Sequence, residues 1–175
     1  DKSSDGYEDL FVSAPYVDTS ASNGGAIYQI NARDYNFETT TDTTSDLNDA
    51  SADSYAGSET NKLLGYSLVI GQAGIYNGSD EYRLYVGAPG TKVGGGKGKV
   101  NIFRLDSGTF TDNFVLYDTE LNEVSGNLYG SSLAIVDSNF DTNGGCPCLL
   151  IGSPGSKNDT SEATGKVWIR GRSLE

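Results

Sequence analysis

Short runs of apolar residues, bounded by Gly, Pro, Asn or Asp, recur along this chain of 175 residues. The runs are rich in Val, Ile, Leu, Tyr and Phe, which favour β-strands. No stretch of helical length shows apolar residues at a period of about 3.6. The pattern therefore predicts an all-β fold, and the 23 glycines suit its tight turns and close strand crossings.

Three of these runs are versions of one phrase, since "LFVSAP", "LYVGAP" and "LLIGSP" end at Pro15, Pro89 and Pro154. Each is followed by a second phrase, which reads "GGAIYQI", "GKVNIF" or "GKVWI". A third phrase precedes two of them, because "LGYSL" and "YGSSL" place Gly65 and Gly130 each 24 residues before the proline. Three phrases repeated in a fixed order indicate an internal repeat of β-strands.

A fourth strand is predicted to complete the first two repeats, at 36–41 ("NFETTT") and at 114–120 ("FVLYDTE"). The polar stretch 39–60 is nearly free of core residues and is predicted to be an exposed loop, with this strand at its start. Four antiparallel strands per repeat are typical of a propeller blade. We divide the single domain, 1–175, into repeat 1 (1–60, first strand missing), repeat 2 (61–125) and repeat 3 (126–175, outer strand missing).

These phrases resemble the FG-GAP repeat of the integrin α-chain β-propeller and its relatives. "LGYSL" and "YGSSL" stand at the place of the Phe-Gly phrase, and "VSAP", "VGAP" and "IGSP" at the place of Gly-Ala-Pro. The resemblance covers nearly the whole chain, although Leu64 and Tyr129 replace the phenylalanine. It implies FG-GAP β-propeller-type blades, about three four-stranded antiparallel repeats. The repeats are expected to be incomplete at both ends, because repeat 1 lacks its opening phrase and repeat 3 ends before its outer strand. Family propellers have seven blades, so this chain is expected to supply only about two complete blades and parts of two others.

The acidic segment "DKSSDGYED" matches the calcium loop that some blades of this family carry before the Gly-Ala-Pro strand. Calcium takes about six to eight oxygen ligands, and alternate positions of a tight loop point them at one centre. Gly6 allows the sharp turn, and Glu8 then points outward. The alternative is a solvated acidic turn. The predicted ligands of this first Ca²⁺ site are Asp1, Ser3, Asp5, the carbonyl of Tyr7, and Asp9.

The segment "DSNFDTNGGCPC" stands at the same place in repeat 3 and predicts a second, weaker calcium site. Its ninth position is Gly145, which offers no carboxylate, and the alternative is an ordinary Asn/Asp/Gly turn. In repeat 2 the pattern is lost, because Arg83 occupies the last position; either that loop needs no ion, or Arg83 pairs locally with Asp80 or Glu81. The ligands of the second site are Asp137, Asn139, Asp141 and the carbonyl of Asn143.

The net charge of −12 argues against nucleic acid and anionic membrane surfaces as partners, since both would repel the chain. No apolar run is long enough for a transmembrane helix, so membrane insertion is not expected. The chain has no histidine, which removes Ser-His and Cys-His catalysis and His-ligated metal sites. We therefore expect no enzymatic activity. Methionine is also absent, which indicates a mature or trimmed product.

Two cysteines, Cys146 and Cys148, form "CPC", a spacing poor for an ordinary disulfide and for zinc. A strained local disulfide and two ordinary thiols both remain open. Sequons at Asn77 and Asn158 fall in predicted loops and are candidate glycosylation sites. Trp168 and the tyrosines would serve a sugar-binding platform, but their alternating strand positions favour packing between repeats.

Together these features predict a calcium-binding, non-catalytic adhesion or structural module, extracellular or at the cell surface. Unpaired sheet edges invite other strands. The expected partners are therefore other copies of the chain, joined head to tail by strand complementation into a filament, or further blades of a larger propeller. Protein and glycan ligands are compatible with such a module. The alternative function is a calcium-dependent carbohydrate-binding module or the propeller accessory of a secreted hydrolase.

Overall fold

The computed structural model describes residues 9–30, 53–73, 82–91, 94, 96–105, 110, 114–117, 126–136, 147–157, 162 and 164–171. In these residues the chain forms ten β-strands, arranged in three antiparallel sheets, and no helix. The prediction of an all-β fold made of antiparallel strands is confirmed for this part of the chain.

Each sheet is built from strands of one repeat. Sheet 1 contains β1 (Leu10–Ala14), β2 (Ala26–Ile30) and β3 (Asp53–Ala56), paired in that order. Sheet 2 contains β4 (Ser67–Gly71), β5 (Arg83–Ala88), β6 (Lys99–Arg104) and β7 (Phe114–Tyr117), also in sequence order. Sheet 3 contains β8 (Ser132–Val136), β9 (Cys148–Ser153) and β10 (Lys166–Arg170), with β9 in the middle.

The prediction that the whole stretch 39–60 is an exposed loop is wrong at its C-terminal end. Residues 53–56 form β3, which pairs antiparallel with β2. The strand is short and half polar, so its sequence carries little strand signal. It is held by Tyr55, whose ring packs edge-on against Phe103 of sheet 2 with 4.8 Å between centroids. The strand predicted at 36–41 lies outside the described residues.

The fourth strand predicted at 114–120 is confirmed over its first four residues, which form β7 and pair with β6. Sheet 2 therefore has the predicted four strands. Within the described residues, sheets 1 and 3 have three strands each. In sheet 1 the phrase ending in Pro15 forms the edge strand β1, whereas its counterpart β5 lies inside sheet 2.

Sheet 2 lies between the other two sheets and is buried on both faces. Residues of β5 alternate between the two cores, because successive side chains of a strand point to opposite faces. Leu84 and Val86 join the cluster with Ile27 of sheet 1, and Tyr85 joins the cluster with Leu149 of sheet 3. All six residues of β5 are buried. The two apolar clusters thus stack the three sheets in sequence order.

Candidate functional site

The predicted calcium ligands lie mostly outside the described residues. Asp9 is the exception, and it is half-buried at the position immediately before β1. The other members of both predicted sites fall outside: Asp1, Ser3, Asp5, Tyr7, Asp137, Asn139, Asp141 and Asn143. In sequence, the second set lies between β8 and β9, so both sets precede the same strand of their repeats. Both predictions therefore stay untested by the described residues.

No group of three or more acidic, cysteine or histidine side chains that would hold a metal ion occurs among the residues that the structure describes. Arg83, which replaces the last ligand in repeat 2, is buried at the start of β5, with 6% of its surface exposed. Its proposed local partners, Asp80 and Glu81, lie outside the described residues. A buried guanidinium at this position distinguishes the second repeat from the first, where a carboxylate stands.

The two sequons, Asn77 and Asn158, also lie outside the described residues. In sequence, the first falls between β4 and β5 and the second between β9 and β10. Cys148 is buried at the start of β9, close to Gly171, while Cys146 lies outside the described residues. The choice between a local disulfide and two thiols therefore stays open.

Trp168 packs between sheets, as the alternation of β10 predicted. It is half-buried and meets the fully buried Tyr129 edge-on, with 6.2 Å between ring centroids. Two cations flank its ring, the Nζ of Lys166 at 6.0 Å and the Cζ of Arg170 at 5.2 Å from the centroid. Cations over an indole face are attracted by its quadrupole. The ring is thus engaged with protein groups and does not form an open stacking platform for a sugar.

The most specific geometry in the described chain is a turn that enters each of the last two sheets. We call residues 61–66 and 126–131 the entering turns of repeats 2 and 3. They share an unusual backbone, because Leu63 and Leu128 have φ of 57° and 58°, and Gly65 and Gly130 both have φ of 92°. A leucine with positive φ is strained. Two turns with the same strained conformation indicate that the surroundings impose it.

The entering turn of repeat 2 inserts into the end of sheet 1, which we call turn site 1. The amide of Leu64 donates to the carbonyl of Gly24 at 3.0 Å, and Leu64 also forms an isolated bridge with Gly25. A Cβ added at Gly25 would overlap the backbone of Leu64. Glycine is required here because the two backbones lie in direct contact.

The entering turn of repeat 3 inserts into the end of sheet 2, which we call turn site 2. Asn127 accepts a hydrogen bond on its Oδ1 from the amide of Gly98 at 2.9 Å. Ser67 donates from its Oγ to the carbonyl of Gly130 at 2.8 Å. A Cβ at Gly87 would overlap that same carbonyl oxygen. Turn site 2 therefore holds the entering turn through small residues and two polar contacts.

An ion pair links the first two repeats beside turn site 1. Glu59 pairs with Lys99 of β6 through its Oε1 and with Lys62 through its Oε2, the second pair at 3.5 Å. The hydrogen bond from Lys99 holds the pKa of Glu59 below its usual range, while partial burial opposes that shift. About half of the Glu59 side chain is exposed, so water weakens the attraction.

Tyr85 holds the chain segment that leaves β4. Its hydroxyl donates to the carbonyl of Ala73 at 3.2 Å and accepts from the amide of the same residue at 3.2 Å. Burial raises the pKa of the Tyr85 phenol above its ordinary value. The neutral hydroxyl therefore serves as a fixed donor and acceptor, which satisfies both backbone groups of a buried residue.

Sequence reasoning identified the phrases of the entering turns but missed what they do. The ordered repetition of "LGYSL" and "YGSSL" was the available signal, because it marked Gly65 and Gly130 as a pair. The role of Asn127 had no such signal, because Lys62 stands at its place in the other turn. Leu63 and Leu128 do match between the two turns, but a shared leucine does not by itself indicate a positive φ.

No protein-family model matches the chain, and no curated protein matches it. Within the described residues, no helix has the length and apolarity needed to cross a membrane. The site geometry and the sequence pattern are thus the grounds for a functional proposal.

Proposed function

We propose that this chain is a calcium-binding, non-catalytic adhesion or structural module, extracellular or at the cell surface, built from FG-GAP-type propeller blades. The observation that carries the proposal is the repeated insertion of an entering turn into the preceding sheet. Two successive sheets receive the same turn, with the same φ values at Leu63 and Leu128 and at Gly65 and Gly130. A scaffold that adds one sheet per repeat through one interface suits a presenting or assembling role.

Calcium is proposed to hold the loop before β1, through Asp1, Ser3, Asp5, the carbonyl of Tyr7, and Asp9. All of these are oxygen donors, and their alternate spacing suits a hard cation with a flexible coordination shell. The half-buried position of Asp9 directly before β1 supports this, because an ion bound there would tie the loop to the strand. The segment 137–143 is proposed as a weaker second site.

The proposal extends to assembly with other copies of the chain or with further blades. β5 and β6 are each paired on both sides in sheet 2, whereas their counterparts β1 and β10 lie at sheet edges in the described residues. An unpaired edge presents a row of backbone donors and acceptors to another strand. Strand complementation at β1 or β10 would satisfy those groups. The packing of Trp168 within the protein gives the carbohydrate-binding alternative no support of its own.

Calorimetric titration with calcium tests the proposed site directly. The Asp9→Asn variant should lose the tighter binding event, because the substitution removes a charged ligand. Glu8→Gln is the matched control: it removes the same charge from the neighbouring residue, whose side chain is expected to point away from the ion. Equal loss in both variants, or no heat of binding in the parent chain, would refute the calcium site.

A further inference from the structure

Sheet 3 presents an open apolar face on the side turned away from sheet 2. Cross-strand pairing places eight residues on this outer face, because paired residues of antiparallel strands share a face. Two of them are large and exposed, with Val167 at 70% and Ile169 at 60% of their surface in solvent. The eight residues of the outer face are Ser132, Ala134, Val136, Cys148, Leu150, Gly152, Val167 and Ile169.

The same positions of the preceding repeat are buried. Aligning "GKVWI" with "GKVNIF" makes Val167 and Ile169 equivalent to Val100 and Ile102. Those two residues are 0% and 1% exposed, because they belong to the core between sheets 2 and 3. The outer face of sheet 3 is thus equivalent to the face of sheet 2 that packs against sheet 3. A further sheet would pack on sheet 3 in the same way as sheet 3 packs on sheet 2.

A cavity of about 420 Å³ opens at the end of sheet 3, where the stack would continue. Its position matches turn site 2, because Ser132 and Gly152 are equivalent to Ser67 and Gly87. In turn site 2 those residues surround the carbonyl of Gly130. The residues lining the cavity include Ser132, Gly152, Pro154, Gly165, Lys166 and Val167. We call this cavity turn site 3.

We propose that turn site 3 and the outer face of sheet 3 are the docking surface for a further β-sheet repeat of the same kind. The occupant is defined by its chemistry: an entering turn with a leucine and a glycine at positive φ, followed by a strand with an apolar face. The glycine carbonyl of that turn would lie over Gly152 and accept from the Oγ of Ser132. Its sheet would cover Val167 and Ile169.

A second copy of this chain does not offer this occupant through its described residues. Both entering turns of the described chain, 61–66 and 126–131, are already inserted in turn sites 1 and 2. The first repeat presents β2 with its outer-facing residues buried, since Tyr28 and Ile30 are 5% and 6% exposed. A further repeat therefore fits the surface better than another copy does.

The test uses an extended chain in which a second copy of residues 104–171 follows Arg170. Arg170 is equivalent to Phe103, so the extension continues the repeat in register and supplies a new entering turn. A Val167→Cys substitution reports access to the outer face through its rate of thiol labelling, measured at that peptide by mass spectrometry. We expect labelling at position 167 to be at least about tenfold slower in the extended chain than in the 175-residue chain, because a well-packed interface excludes the reagent.

Two controls separate docking of the turn from simple strand addition. An extension with residues 104–125 alone supplies a fourth strand without an entering turn and should leave the labelling rate nearly unchanged. Gly152→Ala in the extended chain should restore fast labelling, because its Cβ would stand where the turn carbonyl must lie. Equal protection by the short extension, or protection that survives Gly152→Ala, would overturn the proposal.

The 175-residue chain provides a second test that does not require the extension to fold. Gly87→Ala should lower its unfolding midpoint, because the new Cβ overlaps the carbonyl of Gly130. Gly152→Ala should leave the midpoint nearly unchanged, because its Cβ meets mainly the hydroxyl of Ser132, which can rotate away.

Two outcomes would contradict the inference. Equal destabilisation by both variants would show that turn site 3 is already filled. Concentration-dependent protection of position 167 would assign the face to a second copy. The inference rests on the proposed assembly with further repeats. Neither test involves calcium, so its failure is distinguishable from failure of the proposed calcium site.

Discussion

Two buried asparagines, Asn101 and Asn127, differ in whether a polar atom of the side-chain amide lacks a hydrogen-bond partner. Their substitutions can therefore be compared. Asn101 is 2% exposed on β6, opposite Val86 and Val115, and within the described residues its Nδ2 has no hydrogen-bond acceptor. Asn127 is 1% exposed, and its Oδ1 accepts from Gly98. A buried polar group without a partner costs about 1–3 kcal/mol.

We expect Asn101→Val to raise the free energy of unfolding by about 1 kcal/mol, because it removes an unsatisfied amide from a β-strand core. Asn127→Val should lower it by about 1–3 kcal/mol, because the amide of Gly98 loses its acceptor. Urea unfolding followed by tryptophan fluorescence measures both. If both substitutions lowered the free energy of unfolding, the side-chain amide of Asn101 would not be unsatisfied as described.

The ion pair of Glu59 predicts a defined pH dependence. Its pKa is lowered in the folded protein from an ordinary value of 4.5, chiefly by the hydrogen bond from Lys99. The pair therefore stabilises the fold above pH 4.5, and this contribution is lost as the pH falls through the lowered folded value. Glu59→Gln should cost less than about 1 kcal/mol at pH 7, because the carboxylate is half exposed. Unfolding experiments from pH 7 downwards should show the stability difference between the parent chain and Glu59→Gln shrinking once the pH falls below 4.5. A difference that grows in acid would refute the assignment.

At the scale of the elements, the sequence predicted the strands that carry a repeated phrase and missed one that does not. The phrases ending in Pro15, Pro89 and Pro154 became β1, β5 and β9, because their apolar runs and bounding turns give a complete strand signal. β3 is defined by its pairing with β2 and by the ring contacts of Tyr55 with Phe103 and Phe110, none of which is a local property. Short edge strands of this kind follow from tertiary context rather than from propensity.

The proposed calcium sites and the entering turns differ in the same way, because the first are patterns within one segment and the second are contacts between repeats. The ligand pattern from Asp1 to Asp9 is a local spacing, so the sequence alone is enough to propose it. The turn sites are not local, because each joins a glycine of one repeat to the backbone of the next. Gly98 reads as an ordinary turn residue in the sequence, and only its contact with Tyr129 shows why no side chain fits there.

For the molecule as a whole, the sequence predicted repeated sheets but not which faces would be covered. Val100 and Val167 occupy the same place in nearly identical phrases, yet their exposed fractions are 0% and 70%. Burial depends on whether another sheet follows, which no residue within the phrase encodes. Comparing the exposure of equivalent residues therefore shows which sheet face is uncovered, which neither the sequence nor a single sheet shows. Here the uncovered face is the outer face of sheet 3.

The stacked arrangement also determines how calcium should act on the whole molecule. Sheet 1 shares an apolar core with sheet 2, through Ile27, and sheet 2 shares another with sheet 3. An ion bound at the proposed first site would therefore stabilise sheet 1 and, through the shared core, the sheets packed against it. A ligand that binds only the folded state adds about 2.7 kcal/mol at 100 times its dissociation constant. We expect the melting temperature to rise in calcium and to fall back in the presence of a chelator.

The melting experiment needs a control for charge screening, because the chain carries a large net negative charge. A chain of charge −12 repels itself, so any divalent cation will stabilise it to some degree by screening. Magnesium at the same concentration reproduces the screening, but it demands near-octahedral geometry and gives up its water reluctantly, so a flexible loop of carboxylates favours calcium. The shift in calcium should clearly exceed the shift in magnesium. Most of this excess should be lost in Asp9→Asn, which leaves the weaker second site intact, and the whole excess should persist in Glu8→Gln. Equal shifts in the two ions would mean that the acidic loop is a solvated turn and that charge screening accounts for the whole effect.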